Sequence, residues 1–192
     1  MAHDVLKFLH ILSVVFMSAP LYNLIVVNER VRFGKAPFAV DRYFENIIRG
    51  ASTRCYVYQL TALVTGVLLV TIGGFPLTYL LENRVLLAKV VLLFALMALL
   101  SVVHFRLQPA IDRILGGVEG DMLPPEAAAR VLPLRTGRKR LAALCLFIVI
   151  AIVLLGLQVH GSYGVPLNAL LFALAALFSF RVYRTPIRFG WI

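Results

Sequence analysis

The chain reads as an all-α, polytopic transmembrane helix bundle, and three observations lead there. Apolar stretches occupy most of it, at about residues 5–27, 57–80, 85–105, 141–159 and 163–182. Each is roughly 18 to 25 residues, the length a helix rising ~1.5 Å per residue needs to cross ~30 Å of hydrocarbon. Composition agrees: 61% of the 192 residues are hydrophobic, 15% are charged, and mean hydropathy is +0.91. A water-soluble chain of this size could not hide so much apolar surface, and a backbone facing lipid must satisfy its own hydrogen bonds, hence helices.

The third observation is where the cations lie. The first connection holds Arg30, Arg32, Lys35, Arg42, Arg49 and Arg54; the second holds only Arg84. The third holds Arg106, Arg113, Arg130, Arg135, Arg138, Lys139 and Arg140, and the fourth, around His160 to Gly164, holds none. Arg184 and Arg188 follow the last span, with Arg181 just before it. Alternate connections are basic, so the positive-inside rule makes loops 29–55 and 106–140 and the C-terminus cytoplasmic. The N-terminus is then outside, and an odd number of spans, five, follows. Residues 1–192 form a single membrane domain with no room for a separate soluble one. The net charge of +10 sits in the loops, without a basic groove interleaved with aromatics, so it does not signal nucleic acid.

Each element has its own reasons. The first span lacks a basic leader region and a small-residue cleavage site, so it is expected to be a retained helix and not a signal peptide. It carries the polar residues His10, Ser13 and Asn23. In the first cytoplasmic connection Asp41 is placed to cap a helix through Arg49. Tyr43, Phe44, Ile47 and Ile48 would form its apolar face, with Arg42, Glu45, Asn46 and Arg49 elsewhere, an interfacial amphipathic helix leading into span two. Gly73, Gly74 and Pro76 predict a kink or short outer turn before Tyr79 to Glu82. The third connection is punctuated by Gly116, Gly117, Gly120, Pro124, Pro125 and Pro133, with Pro125 opening a small helix through Val131. Spans four and five form an antiparallel hairpin. Ala62/Gly66 and Ala169/Ala173 permit close helix approach, read as packing within the molecule. Cys55 and Cys145 fall near cytoplasmic ends of spans, in no metal-binding pattern, and are expected to be free thiols.

Ionisable residues inside spans are costly and usually face a cavity or a cofactor. His10 lies about six residues into span one, roughly 9 Å from the outer boundary; Lys89 lies about five residues into span three from the same side. The two share a level in the outer leaflet. His160 closes the outer end of span four, and His3 and Lys7 precede His10, giving an outward cluster of His3, Lys7, His10, Lys89 and His160. Two readings stay open for each key residue. His10 is a haem ligand or proton carrier, or else a hydrogen-bonded packing histidine. Lys89 neutralises a haem propionate, or else it snorkels to the outer interface. His104 stands roughly 22 Å below Lys89 on the same helix, and two axial ligands of one iron lie only about 4 Å apart. His10 and His104 therefore cannot share a haem, and His104 reads as structural. His10 with His160 is the allowed pair, with His3 in reserve. There is no phosphate loop, zinc-protease motif, nucleophile elbow or carboxylate pair within a span.

Leu6-Lys7-Phe8-Leu9-His10-Ile11-Leu12 resembles the L-K-x-x-H-I opening of a broad bacterial membrane grouping. That grouping includes HemJ-type protoporphyrinogen oxidases, CopD-like copper-resistance proteins and uncharacterised small integral-membrane proteins. Leu87-Ala88-Lys89-Val90-Val91-Leu92 resembles the A-K-L span of the HemJ type, and Arg106-Leu107-Gln108-Pro109-Ala110 the R-x-x-P stretch of the uncharacterised members, to which the chain looks closer. The resemblance implies a multi-pass protein of the bacterial cytoplasmic (inner) membrane. It implies b-type haem bound through His10 as the iron ligand, with Lys89 required. Two functions are expected on this basis. One is a haem-binding, redox or electron-transport protein with cofactor-binding residues His10, Lys89 and His160. The other is a non-catalytic accessory, anchoring or assembly subunit, partnered by the lipid bilayer and other membrane subunits and not an enzyme on its own.

Overall fold

The structure, a computed structural model, describes residues 2–30, 37–159 and 164–186, with backbone alone at residues 2 and 28–30. Helix α1 runs Ala2–Arg30, α2 Phe38–Ile72, α3 Tyr79–Glu82 and α4 Arg84–Val102. A π-helical turn, Val103–Leu107, carries α4 into α5, Gln108–Gly116; α6 spans Pro125–Leu157 and α7 spans Val165–Arg184. The fold is all-helical among the described residues, and five helices are long and apolar enough to cross a membrane. By helix length and hydropathy the chain is a multi-pass membrane protein.

Helix α6 is the hub. It packs against α1, α4, α5, α7 and the π turn, while α1 lies along α2. Its most apolar stretch is 44% buried, against 17–28% for the other four long helices. Met17, Leu21, Leu24 and Ile25 of α1 meet Leu93 and Leu96 of α4 and Ala142, Ala143, Leu146, Val149 and Ile152 of α6 in the main core. The small alanines let α6 approach its neighbours closely where lipid gives no hydrophobic drive. Outward faces are apolar too, with Phe105 69%, Leu177 66% and Val165 81% exposed, as a surface wetted by hydrocarbon should be.

Local signals account for several boundaries. Helix α2 stops at Ile72, and Gly73 and Gly74 turn the chain, the latter at φ +81° where a side chain would be strained. Asn83 caps α4, its side-chain oxygen accepting from the N–H groups of Val85 (3.0 Å) and Leu86 (3.2 Å). Pro125 sits in the first turn of α6, where no N–H is needed.

The two basic connections differ from expectation. Loops 29–55 and 106–140 are in large part helix: α2 begins at Phe38, the third span continues to Gly116, and α6 runs unbroken from Pro125 through Pro133 into the fourth span. The α2 and α6 helices, at 35 and 33 residues, are roughly 50 Å long, well beyond ~30 Å of hydrocarbon. Their surplus lengths and α5 form a small extension with a second core of Phe38, Ile111, Leu115, Val118 and Val131. The Phe38 N–H donates to the Asp121 carbonyl (2.8 Å), tying the start of α2 to the α5–α6 connection.

The expected amphipathic face is also corrected. Asp41 lies inside the first turn of α2 and makes no cap; the N-cap position is Pro37. The buried stripe is Phe38, Asp41, Glu45, Ile48, Ser52, Cys55 and Gln59, while Tyr43 and Ile47 are exposed. The extension and the span are one continuous helix. The inward stripe of the span therefore continues at helical spacing through Asp41 and Glu45, whatever their polarity.

Candidate functional site

Two polar levels lie along the bundle, named outer and inner after the topology expected from the sequence. At the outer level, four helices converge. His10 from α1 points its Nδ1 at the Thr65 hydroxyl of α2, 2.9 Å away. That hydroxyl lies 2.6 Å from the Thr61 carbonyl, to which it donates. With that one proton directed at Thr61, the contact is assigned to a donor on His10 Nδ1, which in the neutral ring puts the remaining lone pair on Nε2. The Ala62 carbonyl, which also borders the Thr65 hydroxyl, is a second acceptor near the ring. Gly66 makes the approach possible: a Cβ there would stand 3.3 Å from His10 Cε1. Opposite, Lys89 of α4 reaches Gly156 of α6, where a Cβ would stand 3.4 Å from Nζ. Lys89 is close enough for its charge to act on His10. Each of the two residues paired by depth is lodged against a glycine of a different helix.

The other outer residues separate. His3 and Lys7 lie on the exposed surface of α1. His160, expected as a second ligand, lies outside the described residues. His104 sits in the π turn, its Nδ1 2.9 Å from Ser52 Oγ and its ring edge-on to Tyr56. Tyr56 in turn hydrogen-bonds Ser101 (2.7 Å), so His104 belongs to a polar seam between α2 and α4.

The inner level was not anticipated. Arg135, Arg138 and Lys139 of α6 are 0%, 0% and 1% exposed, and Glu45 of α2 is 4%. Arg135 Nε donates to Glu45 Oε1 at 2.8 Å; Arg138 donates to both Glu45 oxygens at 2.8 and 3.0 Å. Arg138 also donates to Gln108 Oε1 (2.7 Å), whose amide nitrogen donates to Asp112 (3.1 Å). Asp112 pairs at the surface with Arg49 at 2.9 Å. The Lys139 ammonium donates to the Thr185 carbonyl beyond α7, fastening the last helix to the hub. This layer lies between the main core and the extension built on Phe38, Ile111, Leu115, Val118 and Val131. The π turn fits Gln108 into it. Buried residues on this helix run Leu93, Leu96, Leu100, then Gln108, Ile111, Leu115; the eight-residue step needs one residue more than two α-turns, which a π turn absorbs.

No family model, curated protein or solved structure matches this chain. Its chemistry has to be read from its own residues. Cys55 and Cys145 are free and buried. No group of three or more His, Cys, Asp or Glu among the described residues is arranged to hold a bare metal ion. The outer level offers one imidazole nitrogen with its tautomer set, beside one ammonium. An imidazole nitrogen and an ammonium are the donor types that hold a haem iron and a propionate. The inner level offers buried ion pairs that join α2 to α6, although not every guanidinium N–H there meets an acceptor.

Proposed function

We propose that the chain is an N-out, C-in protein of a bacterial cytoplasmic membrane that holds a b-type haem at His10 and Lys89 and serves electron transfer. The observation that carries this reading is the hydrogen bond from His10 Nδ1 to Thr65. Ligating histidines are characteristically oriented by a donor bond from their other nitrogen, which fixes the ring and raises the basicity of the free one. A histidine needed only for packing has no reason to keep an unshared nitrogen beside an ammonium in the outer leaflet. The resemblance of Leu6 to Leu12 and Leu87 to Leu92 to HemJ-type spans supports the same two residues. His10 Nε2 would take one axial position and Lys89 would neutralise a propionate. Bound haem would supply a one-electron couple within the bilayer.

A reduced-minus-oxidised spectrum of the purified protein tests this. A b-type band that disappears in His10→Ala and persists in His104→Ala is expected. A protein without the band loses the haem reading and leaves that of an accessory or anchoring subunit. The orientation has its own check, by adding cysteines at the exposed Glu82 and Glu119. Impermeant thiol reagent outside the cell should label Glu82→Cys and not Glu119→Cys; the reverse would invert the topology.

A further inference from the structure

A cleft of about 120 Å³ opens between α1 and α2, away from both polar levels. Phe16, Pro20 and Asn23 line it from α1, and Ala51, Arg54 and Tyr58 from α2. Phe16 and Tyr58 stack across it with ring centroids 5.7 Å apart, making one wall flat and apolar. Pro20 lies inside α1 and has no N–H for the Phe16 carbonyl, which leaves an acceptor at the wall. Arg54 and Asn23 are exposed. Among the described residues the Arg54 guanidinium has no carboxylate partner, in contrast to Arg135 and Arg138, which both pair with Glu45.

Depth says what surrounds these groups. Arg54 lies 18 residues before Ile72, the end of α2 at the outer turn, or roughly 27 Å along the helix at ~1.5 Å per residue. That is the thickness of the hydrocarbon layer, so the guanidinium stands where acyl chains give way to headgroups. Asn23 lies at the matching level of α1. A cation, an amide and a phenol gathered at this boundary, with no partners for them among the described residues, are matched by the polar headgroup of a lipid.

We propose that this cleft binds the phosphate of an anionic phospholipid. Arg54 takes the phosphate through its planar fork, Asn23 and Tyr58 add hydrogen bonds, and an acyl chain lies over Phe16 and the Tyr58 ring. Arginine suits this role because its donors match two phosphate oxygens at once. Basic pockets between helices on the cytoplasmic side are where acidic headgroups dock.

The test is native mass spectrometry of the detergent-purified protein titrated with phosphatidylglycerol, and separately with phosphatidylcholine. The wild type should retain one phosphatidylglycerol at activation energies that strip phosphatidylcholine. Arg54→Gln should weaken that adduct by roughly tenfold, the loss of one charge-assisted contact. Arg54→Lys should recover part of it. Arg106→Gln removes an equally exposed arginine outside the cleft and should leave the adduct unchanged. Equal loss in Arg54→Gln and Arg106→Gln, or no loss in Arg54→Gln, overturns the proposal. Displacement of the adduct by millimolar inorganic phosphate alone would show a free-anion site and overturn it as well.

Discussion

The outer and inner polar levels treat buried charge in opposite ways. At the inner level Glu45 answers two guanidiniums, and Gln108 satisfies a further N–H of Arg138. At the outer level His10 keeps one nitrogen unshared and Lys89 faces a glycine. A carboxylate clasped by two guanidiniums holds helices in one arrangement, even where not every N–H finds an acceptor; an imidazole and an ammonium without such a carboxylate can take an added acidic group. The contrast separates residues that hold the bundle together from residues that could act.

The sharpest test of that contrast is stability. Glu45→Ala leaves Arg135 and Arg138 buried without their carboxylate. It should cost about 3–5 kcal/mol, the loss typical of breaking a buried pair from one side. His10→Ala removes one hydrogen bond and should cost only about 1 kcal/mol. Unfolding of both variants in the same detergent measures the difference. Equal losses would erase the distinction between the two levels. Replacing Glu45, Arg135 and Arg138 together by methionine should restore only part of the stability, because the buried Asp41 then loses the Arg135 charge beside it.

Smaller effects refine the outer level. Lys89→Ala should weaken haem retention without abolishing it, since a propionate contact is a hydrogen bond and not a metal bond; haem titration compares it with His10→Ala. Complete loss in Lys89→Ala with retention in His10→Ala would exchange their roles. Thr65→Val removes the acceptor that orients His10. With His10→Ala it should show a coupling of about 0.5–1.5 kcal/mol in a double-mutant cycle. Additive losses would mean that the two side chains do not act as a pair. The smallest expected difference is between the two glycines. An alanine at 66 meets the His10 ring at 3.3 Å and should displace it by tenths of an ångström, whereas one at 156 makes ordinary contact with Lys89 at 3.4 Å. Imidazole NMR shifts should therefore change in Gly66→Ala and hold in Gly156→Ala.

The sequence by itself determined the class of this protein. Spans of bilayer length are legible because lipid demands a continuous apolar run, whatever the neighbours do. The turn at Gly73 and Gly74 and the Pro125 start of α6 were legible because they depend on local backbone chemistry. The common depth of His10 and Lys89 followed from counting helical rise. Tertiary structure alone decided the rest. Thr65, Gly66 and Gly156 join the outer site only when α2 and α6 are laid against α1 and α4; the Ala62/Gly66 spacing hinted at close approach but not at its partner. The inner layer was hidden for a different reason. Arg135, Arg138 and Lys139 read as one more cytoplasmic basic run, and Glu45 as the polar side of an interfacial helix. A continuous helix cannot change its inward face where it leaves the membrane. Glu45 is therefore carried inward with the stripe of α2, and two arginines from α6, more than eighty residues away in sequence, meet it there.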